Sequence, residues 1–489
     1  MTDESTLLSP SDSEDPTTLS YMLKLAAPMI VTTTSFTIMQ FVDRFMVSRL
    51  GTDALAAILP AGAVSFLPGG FAIGLMTSLN TFVSQSLGRD SKKECSNYFW
   101  QAIYMGFVYF VVVVAIMWPA AYWIFETIMG QKPQVVDPNV VDMEVTYLRI
   151  MLYAHIPAIF NYAGSQFFMG IHRPVITMFA SLCGQVVNVS ANYVLIFGKL
   201  GFPEMGIAGA GWGTFVGISV AAGINLGMFL SGRMNVTFKT RHALGIDFSK
   251  MYDLLKVGFP AGIGLMVNVS LWAVILFRLV GKFGTEALAA TSAVFACTHV
   301  SVMPIVGVST ALTAAVGKAI GQGRERVAIK QTRVCLKVAL VYMGLVGVCF
   351  FVFRKGLMDF WTADPELNQA VVRAGANILI CAAIYQVFQA ARTIYSGSLR
   401  GAGDTVWLAI TSSVGAVVIL GFGGALLVRF FQQYFPSYGY MGPWIAATLS
   451  MIAVGLANRW RFKSRSWMNI DLFKRRGPSV PIQNGAAVE

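Results

Sequence analysis

Apolar runs of helix length recur about a dozen times along the chain, each closed by glycine, proline or a small group of charged residues. About 20 consecutive apolar residues cross the roughly 30 Å hydrocarbon core of a bilayer as an α-helix. Gly/Pro breaks and charge clusters bound the runs, and they predict spans at 21–47, 54–87, 97–125, 144–168, 175–198, 207–231, 252–281, 287–318, 333–353, 368–397, 404–430 and 441–462. The expected fold class is an all-α integral membrane protein with twelve transmembrane helices in two six-helix lobes. The expected organisation is a disordered acidic tail (1–20), a first lobe (21–231), a cytoplasmic linker (232–250), a second lobe (251–462) and a basic cytoplasmic tail (463–489).

The two halves repeat one another. Leu23-Lys24 with Pro28 returns as Leu255-Lys256 with Pro260, and Gly51-Thr52-Asp53-Ala54-Leu55-Ala56-Ala57 returns as Gly284-Thr285-Glu286-Ala287-Leu288-Ala289-Ala290. Gly88 pairs with Gly321, Gly170 with Gly401, and Gly206 and Gly209 with Gly439 and Gly442, all displaced by roughly 232 positions. Both halves open alike and hold six spans, so they share an orientation. That predicts a pseudo-two-fold axis along the membrane normal, with a substrate site between the lobes near the midplane.

Composition agrees. Only 12% of the 489 residues are charged and 55% are hydrophobic, where soluble domains carry about 25% charge. The net charge of +12 does not point to nucleic acid, because the basic residues cluster between spans: Arg89, Lys92 and Lys93; Arg233, Lys239, Arg241 and Lys250; Arg324, Arg326, Lys330 and Arg333; and 459–476. Lys and Arg favour cytoplasmic loops, which predicts an even number of spans with both termini in the cytoplasm. The acidic N-terminal stretch lacks the basic region of a cleavable signal peptide. The six cysteines are scattered without a CxxC pair, which supports neither a disulfide framework nor a zinc site, so no metal or cofactor is expected. No HExxH, Gly-x-Ser-x-Gly or phosphate-binding loop is present, which leaves hydrolysis and ATP drive without a motif.

Asp43, in the first span, is the main chemical candidate. A carboxylate within a span costs on the order of 3 kcal/mol and is a functional-site candidate by default. Read functionally, a proton and a substrate cation compete for it; read structurally, it is an interfacial residue that Arg44 neutralises. Adjacent helical residues point about 100° apart, which turns Arg44 away. Gln40 lies one turn before Asp43, and Asn188 and Asn192 share a face of the fifth span by i, i+4 spacing. These three form an expected polar network in the first lobe, or plain interhelical glue. Pro28, Pro157, Pro260 and Pro304 sit within spans and bend helices, with Pro28 a possible hinge. His155 and His299 read as packed histidines, and Gly209, Gly213 and Gly217 as a close-packing ridge.

Several short segments carry a resemblance: Met39-Gln40-Phe41-Val42-Asp43, 195–204 after the fifth span, Gly258-Phe259-Pro260, Ala383-Ile384-Tyr385-Gln386 and Gly397-Ser398-Leu399-Arg400-Gly401. In order and spacing over about 20–462, the chain resembles the multidrug and toxic compound extrusion (MATE) family. The resemblance implies a V-shaped, two-lobe antiporter that exchanges organic, cationic or amphipathic drugs for protons or sodium ions. One branch of the family carries second-lobe acids where this chain has Asn268 and Gln389, and another has Asn-x-x-x-Asp where this chain has Asn188 and Asn192. Near Ile275 or Leu276, the repeat-equivalent of Asp43, the chain is apolar. Asp43 is thus the expected coupling site, with Asn268, Tyr385 and Gln389 as possible second-lobe substrate contacts. Few carboxylates favour protons over sodium. The alternative is a flippase for a lipid-linked precursor, which wants a basic cavity. Arg278 and Arg392 are the candidates for it, both expected near span ends. The expected partners are small-molecule substrates and membrane lipids, around a monomer in the plasma (inner) membrane.

Overall fold

A computed structural model describes residues 14–128, 138–267, 272–361 and 369–473. Asn268 lies outside these residues, as do 1–13 of the N-terminal tail and 474–489 of the C-terminal one. The first lobe consists of α1 (Leu19–Ser48), α2 (Thr52–Gly88), α3 (Lys92–Trp123), α4 (Pro138–Gly170), α5 (Pro174–Ile196) and α6 (Gly206–Phe229). A short α7 (Gly232–Phe238) follows. The second lobe consists of α8 (Phe248–Met266), α9 (Trp272–Val280), α10 (Thr285–Gly321), α11 (Glu325–Val352), α12 (Arg354–Trp361), α13 (Gln369–Gly401), α14 (Thr405–Val414), α15 (Gly424–Tyr434) and α16 (Met441–Lys463). A π-helical stretch, Gly415–Gly423, joins α14 to α15, so the two make one span; α8 and α9 make another.

Among the described residues, ten helical runs are long and apolar enough to cross a membrane unaided. The other two spans are α4, which carries Asp142, Glu144 and Arg149, and the pair α8 and α9. The outer faces are those of a lipid-embedded protein. Val341, Leu345, Val348 and Val352 form one stripe on α11 and are all more than 60% exposed, an apolar surface that would drive a water-soluble chain to aggregate.

Local signals place the helix ends. Thr18 caps α1 through Tyr21 N, Asp247 caps α8 through Ser249 N and Lys250 N, and Pro174 occupies the first turn of α5, where its missing N–H costs nothing. Gly51 (φ 116°, ψ 179°) and Gly284 (φ 93°, ψ 178°) hold the same backbone conformation at the same turn of each repeat, one open essentially to glycine alone.

The pseudo-two-fold relation shows in contacts, not only in helix order. A β-carbon on Gly88 would stand 2.3 Å from the Lys318 carbonyl, and one on Gly321 would stand 2.2 Å from the Gln85 carbonyl. These two contacts exchange under the repeat offset. Gly170 against Asn80 and Val83 mirrors Gly401 against Thr313 and Val316, and Gly209 against Leu195 mirrors Gly442 against Leu427. Two packed lobes related in this way bury their shared helices and leave a seam between them.

That seam is closed at one end. We call the near face the side holding the start of α1 and the end of α16, and the far face the opposite side. Along the near half, Thr81 Oγ1 donates to the Arg400 carbonyl (2.9 Å) and Gln85 Nε2 to the Gly401 carbonyl (3.0 Å). His172 Nε2 lies 3.2 Å from the Ala314 carbonyl, and its Nδ1 lies 3.2 Å from the Tyr21 hydroxyl. Toward mid-helix, Gly74 meets Gly262 and Gly307 meets Ile30, again a symmetric pair, and Thr33 Oγ1 lies 3.0 Å from the Met303 carbonyl. Apart from Tyr21–His172, which lies within the first lobe, these contacts join the lobes and run from the near face to about the middle of the helices.

Near the termini, Glu14 pairs with Lys24. The chain beyond α16 folds back through Ser466–Asn469 and buries Trp467 and Phe473.

Candidate functional site

Asp43 stands little more than one turn from the far end of α1, and Asn192 stands at the corresponding height on α5. Asn192 Nδ2 donates to Asp43 Oδ1 at 2.7 Å, short for a neutral donor on a carboxylate. The same amide lies 3.4 Å from Asn188 Oδ1, and Asn188 Nδ2 lies 3.4 Å from Thr214 Oγ1 on α6. Asn188 and Asn192 are buried, whereas Asp43 and Gln40 are half-buried. The result is a polar chain from Thr214 through two asparagines to one carboxylate, facing partly open space.

Glycines on α6 make room for it. A β-carbon on Gly213 would fall 1.9 Å from Asn192 Oδ1, and one on Gly217 would fall 2.6 Å from Asn188 Cβ. The glycine ridge therefore serves the polar site directly, because it lets α5 approach α6 with two amides between them. In the second lobe the positions matching Asn192 and Gly213 are Gly424 and Ala446, and these face each other with Leu279. The architecture repeats, but the polar chemistry does not.

Sequence neighbours contribute less. Among the described residues no ion pair joins Arg44 to Asp43, and Arg44 is exposed. No hydrogen bond joins Gln40 to Asp43 among the described residues either, so Gln40 shares the face without sharing the bond. Pro28 is buried well toward the near end of α1, and Thr32 Oγ1 donates to its carbonyl at 2.8 Å. His155 Nδ1 lies 2.8 Å from the Met151 carbonyl of its own helix, and His299 stacks on Phe295.

In the second lobe the polar residues of α13 divide between two faces. Gln386 Nε2 donates to Ser301 Oγ on α10 (2.6 Å), while Arg392 Nη1 donates to Gln389 Oε1 (3.1 Å). Tyr385, Gln389 and Arg392 are all buried. Arg392 lies more than two turns before the end of α13, which corrects the expectation that it sits near a span end. Arg278 is exposed beside the end of α9, where that expectation placed it. Spacing along α13 could not reveal the difference, because the helix runs past its apolar segment before it stops.

Two sets of six spanning helices packed about a pseudo-two-fold axis, closed on one face and holding the Asp43–Asn192 pair in one repeat, define a membrane transporter of the two-lobe class. A family model described as MatE matches residues 28–194 and 261–423, and the chain belongs to that family. It is 27% identical over 439 residues to a probable multidrug resistance protein NorM of Chromobacterium violaceum, an alignment covering 88% of this chain and 90% of that one. It is 28% identical over 474 residues to a protein of the same name in Rhizobium meliloti, covering 93% and 95%. Among solved structures, an outward-facing conformation of a multidrug resistance MATE family transporter superposes with a TM-score of 0.82 at 20% identity, covering 94% of this chain and 98% of that one. A transporter from Pyrococcus furiosus, described as having a binding pocket of reversed polarity, superposes with a TM-score of 0.83 at 20% identity and the same coverage.

Proposed function

We propose that this protein is a cation-coupled antiporter that exports organic, cationic or amphipathic drugs by alternating access, with protons rather than sodium as the coupling ion. The observation that carries the reading is the Asp43 carboxylate held at 2.7 Å by a buried Asn192 in one repeat only. A carboxylate so placed takes a proton or faces a drug cation, and one site serving both in turn is an exchanger. Sodium needs several oxygen ligands, and the chain offers one carboxylate where other family members offer more. In this reading the near face is cytoplasmic, because the Arg and Lys clusters lie there, and the protein works as a monomer in the plasma (inner) membrane. It is a carrier and not an enzyme. Names of relatives that mention multidrug resistance agree with it.

The test is ethidium efflux from vesicles under an imposed pH gradient or an imposed sodium gradient. Export driven by the pH gradient alone is the expected result. Export driven by sodium alone replaces the ion, and export by neither refutes the exchanger reading.

A second reading, a flippase for a lipid-linked anionic precursor, is favoured by the buried Arg392 on α13 with Gln389 beside it. Transfer of a fluorescent pyrophosphate lipid across proteoliposomes, lost in Arg392→Gln, would support it over drug exchange.

A further inference from the structure

The segment after α16 is tied to both lobes. On the second lobe, Trp467 stacks on Phe462 (centroids 5.3 Å, planes 9° apart) and its Nε1 donates to the Phe462 carbonyl at 2.9 Å. Leu472 packs against Gly403, in the turn between α13 and α14. On the first lobe, Phe473 enters the core edge-on to Phe82 (6.0 Å) and Tyr98 (6.3 Å), themselves stacked at 4.7 Å. The Arg89 guanidinium lies over the Phe473 ring at 4.0 Å and reaches Asp471 at 3.5 Å. Trp467 and Phe473 are 2% and 5% exposed, so both are docked and not merely lying on the surface.

The footing on the first lobe is the end of α2. Arg89 caps that helix directly after Gly88, whose backbone crosses Gly321 of the second lobe. A segment bridging the two lobes beside the crossing resists their separation there. The aromatic contacts are the stronger part of the grip, because the Arg89–Asp471 pair is half-exposed and such pairs contribute little.

We propose that residues 464–473 are a strap that holds the near face shut, and that Phe473 must leave its socket each time the near face opens. This rests on the alternating-access reading, since a protein without such a cycle has no use for release. The segment then sets the balance between the two facing states, and Phe473 and Arg89 are positioning residues that act through helix ends and touch no substrate.

The experiment separates this proposal from the export reading by measuring conformation without drug or gradient. Full-length protein in lipid nanodiscs carries genetically encoded spin labels at Arg233 and Arg326, exposed near-face positions on opposite sides of the seam. Phe473→Ala should raise the population of long distances on the order of threefold or more. Trp467→Ala, which removes core packing within the second lobe, should lower the melting temperature as well. An unchanged distance distribution in a folded Phe473→Ala variant overturns the proposal. If that variant does not fold, Arg89→Cys with Asp471→Cys in a cysteine-free background, joined by a reducible bis-methanethiosulfonate linker long enough to replace the Arg–Asp reach, decides. Cross-linking should trap the short-distance population and slow transport on the order of tenfold or more, reversibly on reduction, whereas wild-type turnover with the link closed overturns the proposal. Should drug export itself prove absent while Phe473→Ala shifts the distances, the strap stands and the choice of substrate falls.

Discussion

At the scale of residues, the proposed exchange rests on a carboxylate and an amide 149 positions apart in sequence. Their 2.7 Å bond fixes one carboxylate oxygen, and in the proposed exchange a proton and a drug cation compete for the same carboxylate. Asp43→Asn keeps the shape and removes the charge, so efflux driven by a pH gradient should fall to the background of vesicles without transporter at matched expression. Near-normal export would remove Asp43 from the mechanism. Gly213→Ala tests the site from the opposite side. Its β-carbon would fall 1.9 Å from Asn192 Oδ1, and overpacking of this kind costs about 1–3 kcal/mol. The expected result is a lowered melting temperature in detergent together with weakened pH-driven efflux. A drop in stability with coupling intact would show that Asn192 packs without tuning Asp43.

At the scale of elements, the same two helices, α2 and α10, carry the crossing between lobes, and their contacts are close enough to test with single β-carbons. Gly88→Ala would press on the Lys318 carbonyl at 2.3 Å, backbone that cannot swing aside. It should loosen the near face and lower the melting temperature, with near-face cysteine accessibility as the measurement; unchanged accessibility and melting would mean that the crossing is slack. On α13, Gln389→Ala removes one acceptor of Arg392, a bond to a charged group worth about 1.5–3 kcal/mol. Neutral at all working pH values, Gln389 carries no proton, so this variant should change drug affinity while a pH gradient still drives export. Loss of coupling with binding retained would bring the second lobe into energy conversion.

The elements also show what a sequence reveals. The spans were legible because apolar length is a local signal, and the repeat because its glycines return at a fixed offset and meet symmetric partners in space. Asp43 was legible as the one carboxylate in its apolar run. Its bond to Asn192 was not, since nothing local records which helix faces α1. Gln40 shares the expected face but not the bond, because i, i+3 spacing fixes direction and leaves distance open. Arg392 was misplaced by depth, as an apolar window does not mark where α13 ends. The strap escaped notice for a related reason. Between Trp467 and Phe473 the chain is too short for a period, and its two aromatic anchors gain meaning only from the cores they enter.

On the scale of the whole molecule, closure of the near face and the place of Asp43 toward the far face set the order of events in the proposed cycle. With the near half bonded through Thr81, Gln85 and His172, the proposed cycle has Asp43 exchange its ligand with the far side, and opening the near face would then break those bonds together with the proposed strap. Binding at one site under two ligands is reciprocal: if protonation of Asp43 weakens drug binding by some factor, drug binding weakens proton binding by the same factor. The sign follows directly. A drug that prefers the ionised carboxylate displaces protons, so adding it to detergent-solubilised protein in weak buffer near neutral pH should release protons into solution. Release should diminish at higher pH, where Asp43 is already ionised, and at lower pH, where the drug no longer competes. Asp43→Asn should show none. Equal proton release from that variant, or no release from wild-type protein that demonstrably binds the drug across the neutral range, would exclude competition at this carboxylate and place the exchange elsewhere in the molecule.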